Sequence, residues 1–189
     1  MNILAIDTTS TGLSIALIKG DETFSHTTQI GKSGHSATLM PEIDDMLKSH
    51  GVDVKNLDAV AVNVGPGSFT GIRIGVSAMT AIAFATGAKR IAVTSFELIA
   101  HGRGDVLAAV DAGHGNLYLA KCSNGTVLEA SFREACEQQV ENAEYAPINS
   151  VDIALAEVVK DKAQNGEFVN VFEPFYMRKS QAEREKDEV

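Results

Sequence analysis

Leu57-Asp-Ala-Val-Ala-Val-Asn-Val64, Gly65-Pro66-Gly67-Ser68-Phe69-Thr70-Gly71, Ile72-Arg73-Ile-Gly-Val-Ser-Ala-Met-Thr-Ala-Ile-Ala-Phe-Ala-Thr86 is the stretch that decides the fold. Its first part is a run of small and β-branched residues bounded by turn signals, the pattern of a buried strand. Its last part is apolar nearly all round, the pattern of a helix covered on two sides. A strand, a glycine-rich turn and a helix in that order present backbone N–H groups and a positive dipole end to an anion. The same order also arises as plain turn chemistry. Gly65, Pro66, Gly67, Ser68, Phe69, Thr70, Gly71 and Arg73 are therefore the motif residues and candidate anion contacts. No lysine of a Walker A loop accompanies them, so a P-loop is excluded.

The rest of the composition narrows the class. At 189 residues and 44% apolar content the chain can bury one large or two small cores. A formal net charge of −9, with no basic cluster, excludes unaided gripping of nucleic acid. Two cysteines, Cys122 and Cys136, form no CxxC pair, so neither a disulfide framework nor a zinc site is expected. The N-terminus opens straight into a strand without a basic leader. The run 74–85 is too short and too rich in small polar residues to span a bilayer. The expectation is a soluble, cytoplasmic protein.

In chain order, 2–6 reads as a buried strand ending at Asp7, followed by a turn at 8–12 and strands at 13–18 and 23–28. A loop is expected at 31–34. From Thr38 a helix is predicted, with Pro41 near its start, a cap from Ser36 or Thr38, and a stripe of Leu39, Met40, Ile43, Met46 and Leu47. A further strand is expected at 90–94. Val106-Leu-Ala-Ala-Val-Asp111 then repeats the grammar of Ile3-Leu-Ala-Ile-Asp7, again followed by a hairpin turn and alternating strands at 117–122 and 127–132, with Asn124-Gly125 as a type I′ signal. The repeat implies a duplicated domain. The expected division is 1–102 and 103–189. The second copy reads as incomplete: helices at 134–144 and 151–162 with no apolar strand between them, then Glu173-Pro174-Phe175-Tyr176-Met177-Arg178 and a solvated charged tail at 179–189.

Two halves of βββαβα type, each opening with a strand that ends in Asp, resemble the actin-like ATPase (ribonuclease H-like) superfamily, here α/β with the second copy shortened. Within it, the eleven-residue motif from Gly65 to Gly75 resembles the hallmark of the TsaB (YeaZ) family, subunits of the bacterial machinery that makes N6-threonylcarbamoyladenosine in tRNA. The blocks Ile3 to Thr9, His35 to Pro41, Asp111 to Ala120 and Glu173-Pro-x-Tyr176-x-Arg178 are similar too, and in the same order. The similarity is dense to about residue 122.

The resemblance implies a non-catalytic scaffold that binds and activates the transferase subunit TsaD together with TsaE. It also implies a homodimer when TsaD is absent, and tRNA contacted only through the complex. Catalytic TsaD-type subunits carry two metal-binding histidines, i and i+4, at positions that count to about Ser95 and Ile99 here. Neither side chain replaces imidazole, and no metal is expected. Asp7, with Thr8, Thr9 and Ser10, fits the superfamily's first phosphate loop, but the 111–115 hairpin lacks its hydroxyl-rich counterpart. No cofactor is expected in the chain itself, with a nucleotide at a partner interface left open.

A subunit needs an interface. The expectation is a helical bundle formed by the 38–49 stripe (Leu39, Met40, Ile43, Met46, Leu47) and by Ile72, Val76, Met79 and Ala83 of the 72–86 helix. On this reading, charged residues at Met46 or Met79 break partner binding and spare the fold. The alternatives are packing of the two helices on each other, a metal-dependent glycoprotease-like hydrolase, and a small-molecule kinase of the superfamily.

Overall fold

The computed structural model describes residues 1–30, 34–134 and 140–178. Five strands form the first sheet: β1 (Asn2–Asp7), β2 (Gly12–Lys19), β3 (Glu22–Gln29), β4 (Ala59–Asn63) and β5 (Lys89–Val93), in the spatial order β3-β2-β1-β4-β5. The first three are antiparallel neighbours, whereas β4 pairs parallel to β1 and β5 parallel to β4. Successive side chains on a strand face opposite ways. Leu4, Ile6, Leu13, Ile15, Leu17, Val60 and Val62 enter one core, and Ile3, Ala5, Ala16, Ile18, Ala59, Ala61, Ile91 and Val93 enter a second on the other face. Burial on both faces explains why these strands read as unbroken apolar runs.

Two helices cover the first face. Helix α1 (Gly34–Ser49) inserts Leu39, Ile43, Met46 and Leu47. It starts earlier than the sequence implied, so Pro41 lies inside it, and Thr38 Oγ1 donates to the Gly34 carbonyl instead of capping. Helix α2 (Phe69–Thr86) starts three residues before the expected position, because Ser68 caps it: its side chain accepts from Gly71 N at 3.2 Å. Gly87, at φ 74°, closes its other end. At 18 residues α2 is long and apolar enough to cross a membrane by length and composition, longer than the run expected to be too short. Here it is seated on the sheet through Ile72, Gly75, Met79 and Ile82.

The stripes expected to meet a partner instead lie inside this chain's own core. Leu39, Ile43, Met46, Leu47, Ile72, Met79 and Ala83 are all buried, and Val76 packs partly buried against the same cluster. Of the nine expected interface residues only Met40 is exposed. The cause is the sheet itself: its Leu, Ile and Val side chains require both helices as cover, which takes the most apolar face of each.

The second sheet contains β6 (Asp105–Gly113), β7 (Asn116–Ser123), β8 (Thr126–Arg133) and β9 (Ala143–Glu144), in the order β8-β7-β6-β9. This repeats the order β3-β2-β1-β4, with three antiparallel strands and a parallel fourth. Asn124 (φ 48°) and Gly125 (φ 79°) make the hairpin turn that their identities dictate. Within the expected 134–144 helix, residues 135–139 lie outside the described ones, and Ala143–Glu144 is a strand rather than helix. Pairing with Leu107 and Ala108 of β6 outweighs the local helical pattern. The second copy therefore does have its fourth strand, in minimal form.

Helices α3 (Ser95–Ala100) and α4 (Val151–Asn165) interleave the halves. Thr94 and Glu97 form a reciprocal capping box at the start of α3, which packs on the second sheet through Phe96, Ile99 and Ala100. Helix α4 follows the second sheet in sequence but covers the outer face of the first, with Ala154, Leu155, Val158 and Val159 in its core. Cys122 is a buried free thiol, pushed above its ordinary range by burial and then by the charge of Glu97. Cys136 and the 179–189 tail lie outside the described residues.

Candidate functional site

Between the two sheets lies a cleft of about 650 Å³. Its floor is the point where β1, β4 and β5 end side by side. Asp7 closes β1, and its Oδ1 accepts from Thr9 N at 2.7 Å and from Thr9 Oγ1 at 2.8 Å. Its Oδ2 accepts from Asn63 Nδ2 at 2.7 Å. Asn63 closes β4, and its Oδ1 accepts from Gly65 N at 2.9 Å. Ser95, just after β5, donates from Oγ to the Pro66 carbonyl at 2.7 Å, and its backbone N–H donates to the Gly65 carbonyl at 3.0 Å. Three strand ends are thus joined into one buried polar network whose product is the position of the Gly65–Pro66 turn. A buried network of this kind fixes geometry because an unpaired member would be costly.

The turn is held equally tightly from below. Ser68 N donates to the Thr9 carbonyl at 2.7 Å, and Thr8 Oγ1 to the Gly71 carbonyl at 2.7 Å. A Cβ on Gly67 would lie 2.6 Å from the Thr9 oxygen, and one on Gly71 would collide with the Thr8 carbonyl. The glycines of the motif are thus set by close approach of the first hairpin to α2.

This geometry sorts the sequence-derived candidates. Asp7, Gly65, Pro66, Gly67, Ser68 and Gly71 come together around the network. Asp7 is not an anion contact: it is 4% exposed, negatively charged when ionised, and already accepts three hydrogen bonds. Ser68 Oγ serves the helix as its cap. Thr70 is exposed on the first turn of α2. Phe69 and Arg73 face away from the cleft, the guanidinium lying 3.9 Å from the Phe69 ring centroid and Nε donating to Tyr176 Oη at 3.2 Å.

Asn63, Thr9 and Ser95 were not singled out as one cluster. The available signal was Asn63 itself, the one amide in a strand otherwise made of Ala and Val. His35 was read only as part of a motif block; it lines the cleft and donates from Nε2 to the Gly12 carbonyl at 3.1 Å, anchoring the start of α1. On the opposite wall Asp111 repeats the Asp7 turn, its Oδ1 accepting from Gly113 N at 2.7 Å as Asp7 accepts from Thr9 N. Ser95 and Ile99 both line the cleft, the first hydrogen-bonded and the second apolar. Among the described residues no group of three or more His, Cys, Asp and Glu side chains could hold a metal ion.

Sequence and structure comparisons agree with this architecture. Residues 29–148 match the family model described as TsaD, tRNA N6-adenosine threonylcarbamoyltransferase. The tRNA threonylcarbamoyladenosine biosynthesis protein TsaB of Haemophilus influenzae is 29% identical over 158 residues, covering 77% of this chain and 66% of that protein. TsaB of Bacillus subtilis is 36% identical over 122 residues, covering 62% of this chain and 53% of the relative. The matches thus span between about half and two thirds of the relatives' length. A crystal structure of an uncharacterized Pseudomonas aeruginosa protein with similarity to peptidase YEAZ superposes with a TM-score of 0.75 at 25% identity, covering 94% of this chain and 99% of that one. With its duplicated actin-like fold and its Gly65–Gly75 motif set against the first hairpin, the chain belongs to the TsaB (YeaZ) family.

Proposed function

We propose that the chain is a non-catalytic accessory subunit in the biosynthesis of N6-threonylcarbamoyladenosine in tRNA, binding the transferase subunit TsaD. The observation that carries this reading is the outer face of α2. Phe84 is 86% exposed there, with Ala81 and Ala85 exposed beside it, and Met40 of the adjoining α1 is 52% exposed. A large aromatic set among small side chains on a rigid helical layer is the composition of an interface core. The bundle interface therefore uses the outward faces of α1 and α2, not the buried stripes. TsaD is its partner in the complex and a second copy takes that place when TsaD is absent. TsaE joins the assembly, and tRNA is reached only through it, in the cytoplasm.

The cleft supports an accessory role. Ser95 and Ile99, where the resemblance puts the transferase's metal-binding histidines, belong here to a hydrogen-bond network and to an apolar cluster. Two carboxylates, Asp7 and Asp111, line the cleft, and among the described residues no Lys or Arg does. Among the described lining residues a triphosphate would meet no cationic side chain, which favours a partner as the source of a nucleotide's phosphate contacts.

Two experiments test the reading. Phe84→Glu is expected to abolish co-purification with TsaD while leaving circular dichroism and thermal midpoint unchanged; full capture by an intact variant overturns the interface. Purified TsaD, TsaE, the threonylcarbamoyl-adenylate synthase and tRNA are expected to form threonylcarbamoyladenosine only when this chain is added. Equal product without it overturns the function.

A further inference from the structure

A second cleft, of about 480 Å³, opens on the other side of the Gly67–Ser68 ridge, between the first turn of α2, the hairpin after β6 and residues 175–178. Its volume falls within the range of small-molecule sites. Two aromatic walls face it. On one, the Phe69 and Tyr176 rings lie 4.7 Å apart, and Arg73 locks them by stacking on Phe69 at 3.9 Å and donating to Tyr176 Oη at 3.2 Å. On the other stands Tyr118, backed by Phe132 at 5.8 Å. A wall stiffened before any ligand arrives loses little entropy on binding.

The rim carries polar groups whose hydrogen-bonding capacity is only partly used among the described residues. The Arg178 guanidinium lies over Phe132 at 4.4 Å and makes a long ion pair with Glu134 at 3.9 Å, with no carboxylate within hydrogen-bonding distance of it among the described residues. Asp111 uses Oδ1 on Gly113 N, and its other oxygen makes no hydrogen bond among the described residues. His114 is held at φ 55° between Gly113 and Gly115, both at φ 75°, and its ring likewise makes no hydrogen bond among the described residues. A non-glycine residue at positive φ persists where the surroundings impose it, often at a binding site.

We infer that this cleft binds a small molecule that joins a planar ring to one anionic group and an N–H donor. The ring stacks between Phe69–Tyr176 and Tyr118, an anionic group pairs with Arg178, and a donor group faces Asp111 or His114. A ligand with an anionic group alone would leave Asp111 unmatched, whereas one that also carries an N–H donor is matched at both ends. A purine nucleoside monophosphate and an aromatic amino acid share this chemistry.

Calorimetric titration of the full chain with AMP, adenosine, L-tryptophan and indole separates the two sources and is independent of any TsaD assay. At least one of AMP and tryptophan is expected to bind saturably, and about tenfold or more tightly than its counterpart without the charge. Arg178→Gln should weaken the charged ligand by about tenfold and leave the neutral counterpart unchanged, Tyr118→Leu should weaken both, and Thr11→Val, in the larger cleft, should weaken neither. The site is overturned if no probe binds up to about 5 mM. It is equally overturned if Arg178→Gln has no effect on a correctly folded protein, or if Thr11→Val removes binding.

Discussion

Gly71 and Gly87 stand at the two ends of α2 for different reasons, and they separate two kinds of glycine requirement. A side chain at Gly71 would run into the Thr8 carbonyl, while one at Gly87 meets nothing within 4 Å and suffers only from φ +74°. Gly71→Ala is expected to cost about 3 kcal/mol or more, and Gly87→Ala about 1 kcal/mol, read as urea midpoints. Asp152 supplies a pH signature. Burial pushes its carboxyl up, but hydrogen bonds from Ser25, Ser150, Thr27 and its own backbone N–H together bring it below the ordinary carboxylate range. Its folded form titrates below the unfolded value of about 3.9, so its contribution is complete above that pH and is lost as pH falls through the folded pKa. Asp152→Asn should lower stability by about 1–2 kcal/mol at pH 7, and the gap to the parent should close in unfolding curves taken below about pH 4. The motif glycines and Asp7 were legible in the sequence as residue types, because a close backbone approach and a tight carboxylate turn each admit few others. The joining of Asn63 to Ser95 was not, since it depends on two strand ends meeting in space.

Helices α1, α2 and α4 were visible by period, the six-residue α3 was too short to show one, and the orientation of none was legible. The α1 stripe was identified correctly as apolar, but periodicity alone does not say whether a stripe meets its own sheet or another molecule. In α4 the ordinary rule is inverted at one turn: Asp152 is 7% exposed and Ile153 is 42% exposed. Ser25 Oγ and Thr27 Oγ1 of β3 donate to the Asp152 carboxylate at 2.7 and 3.1 Å, which no window on α4 could reveal. Because Leu155 is fully buried between α4 and the first sheet, Leu155→Ala should cost about 2–5 kcal/mol, measured by thermal denaturation. Met79→Glu, placing a charge in the other core, should leave little folded protein, in contrast to the tolerated Phe84→Glu.

At the scale of the molecule, the duplication was legible as a repeated strand–Asp–hairpin, and the repeated strand order bears it out. The stitching of the halves was hidden. Lys162 of α4 pairs with Glu97 of α3 at 2.7 Å. Phe175 donates its N–H to the Val64 carbonyl at 2.8 Å and packs against the cores of both halves, with an edge contact to Phe96 at 6.3 Å. Phe175→Ala should therefore lower global stability by about 2–4 kcal/mol. Amide exchange should rise in β4 and β7 together; a rise in one half alone would contradict the bridging role. The docking of α4 also has a consequence for synthesis. Chains emerge N-terminus first, and domains generally fold as units. On the ribosome, the face of the first sheet built from Ile3, Ala5, Ala16, Ile18 and Ile91 is complete once Val93 emerges, yet apart from Leu98 of α3 its cover does not begin until Val151. For the whole interval in which the second sheet is being translated, an apolar surface stays open to water and to chaperones that recognise such surfaces. The nascent first half must wait for the far end of the second before it is finished.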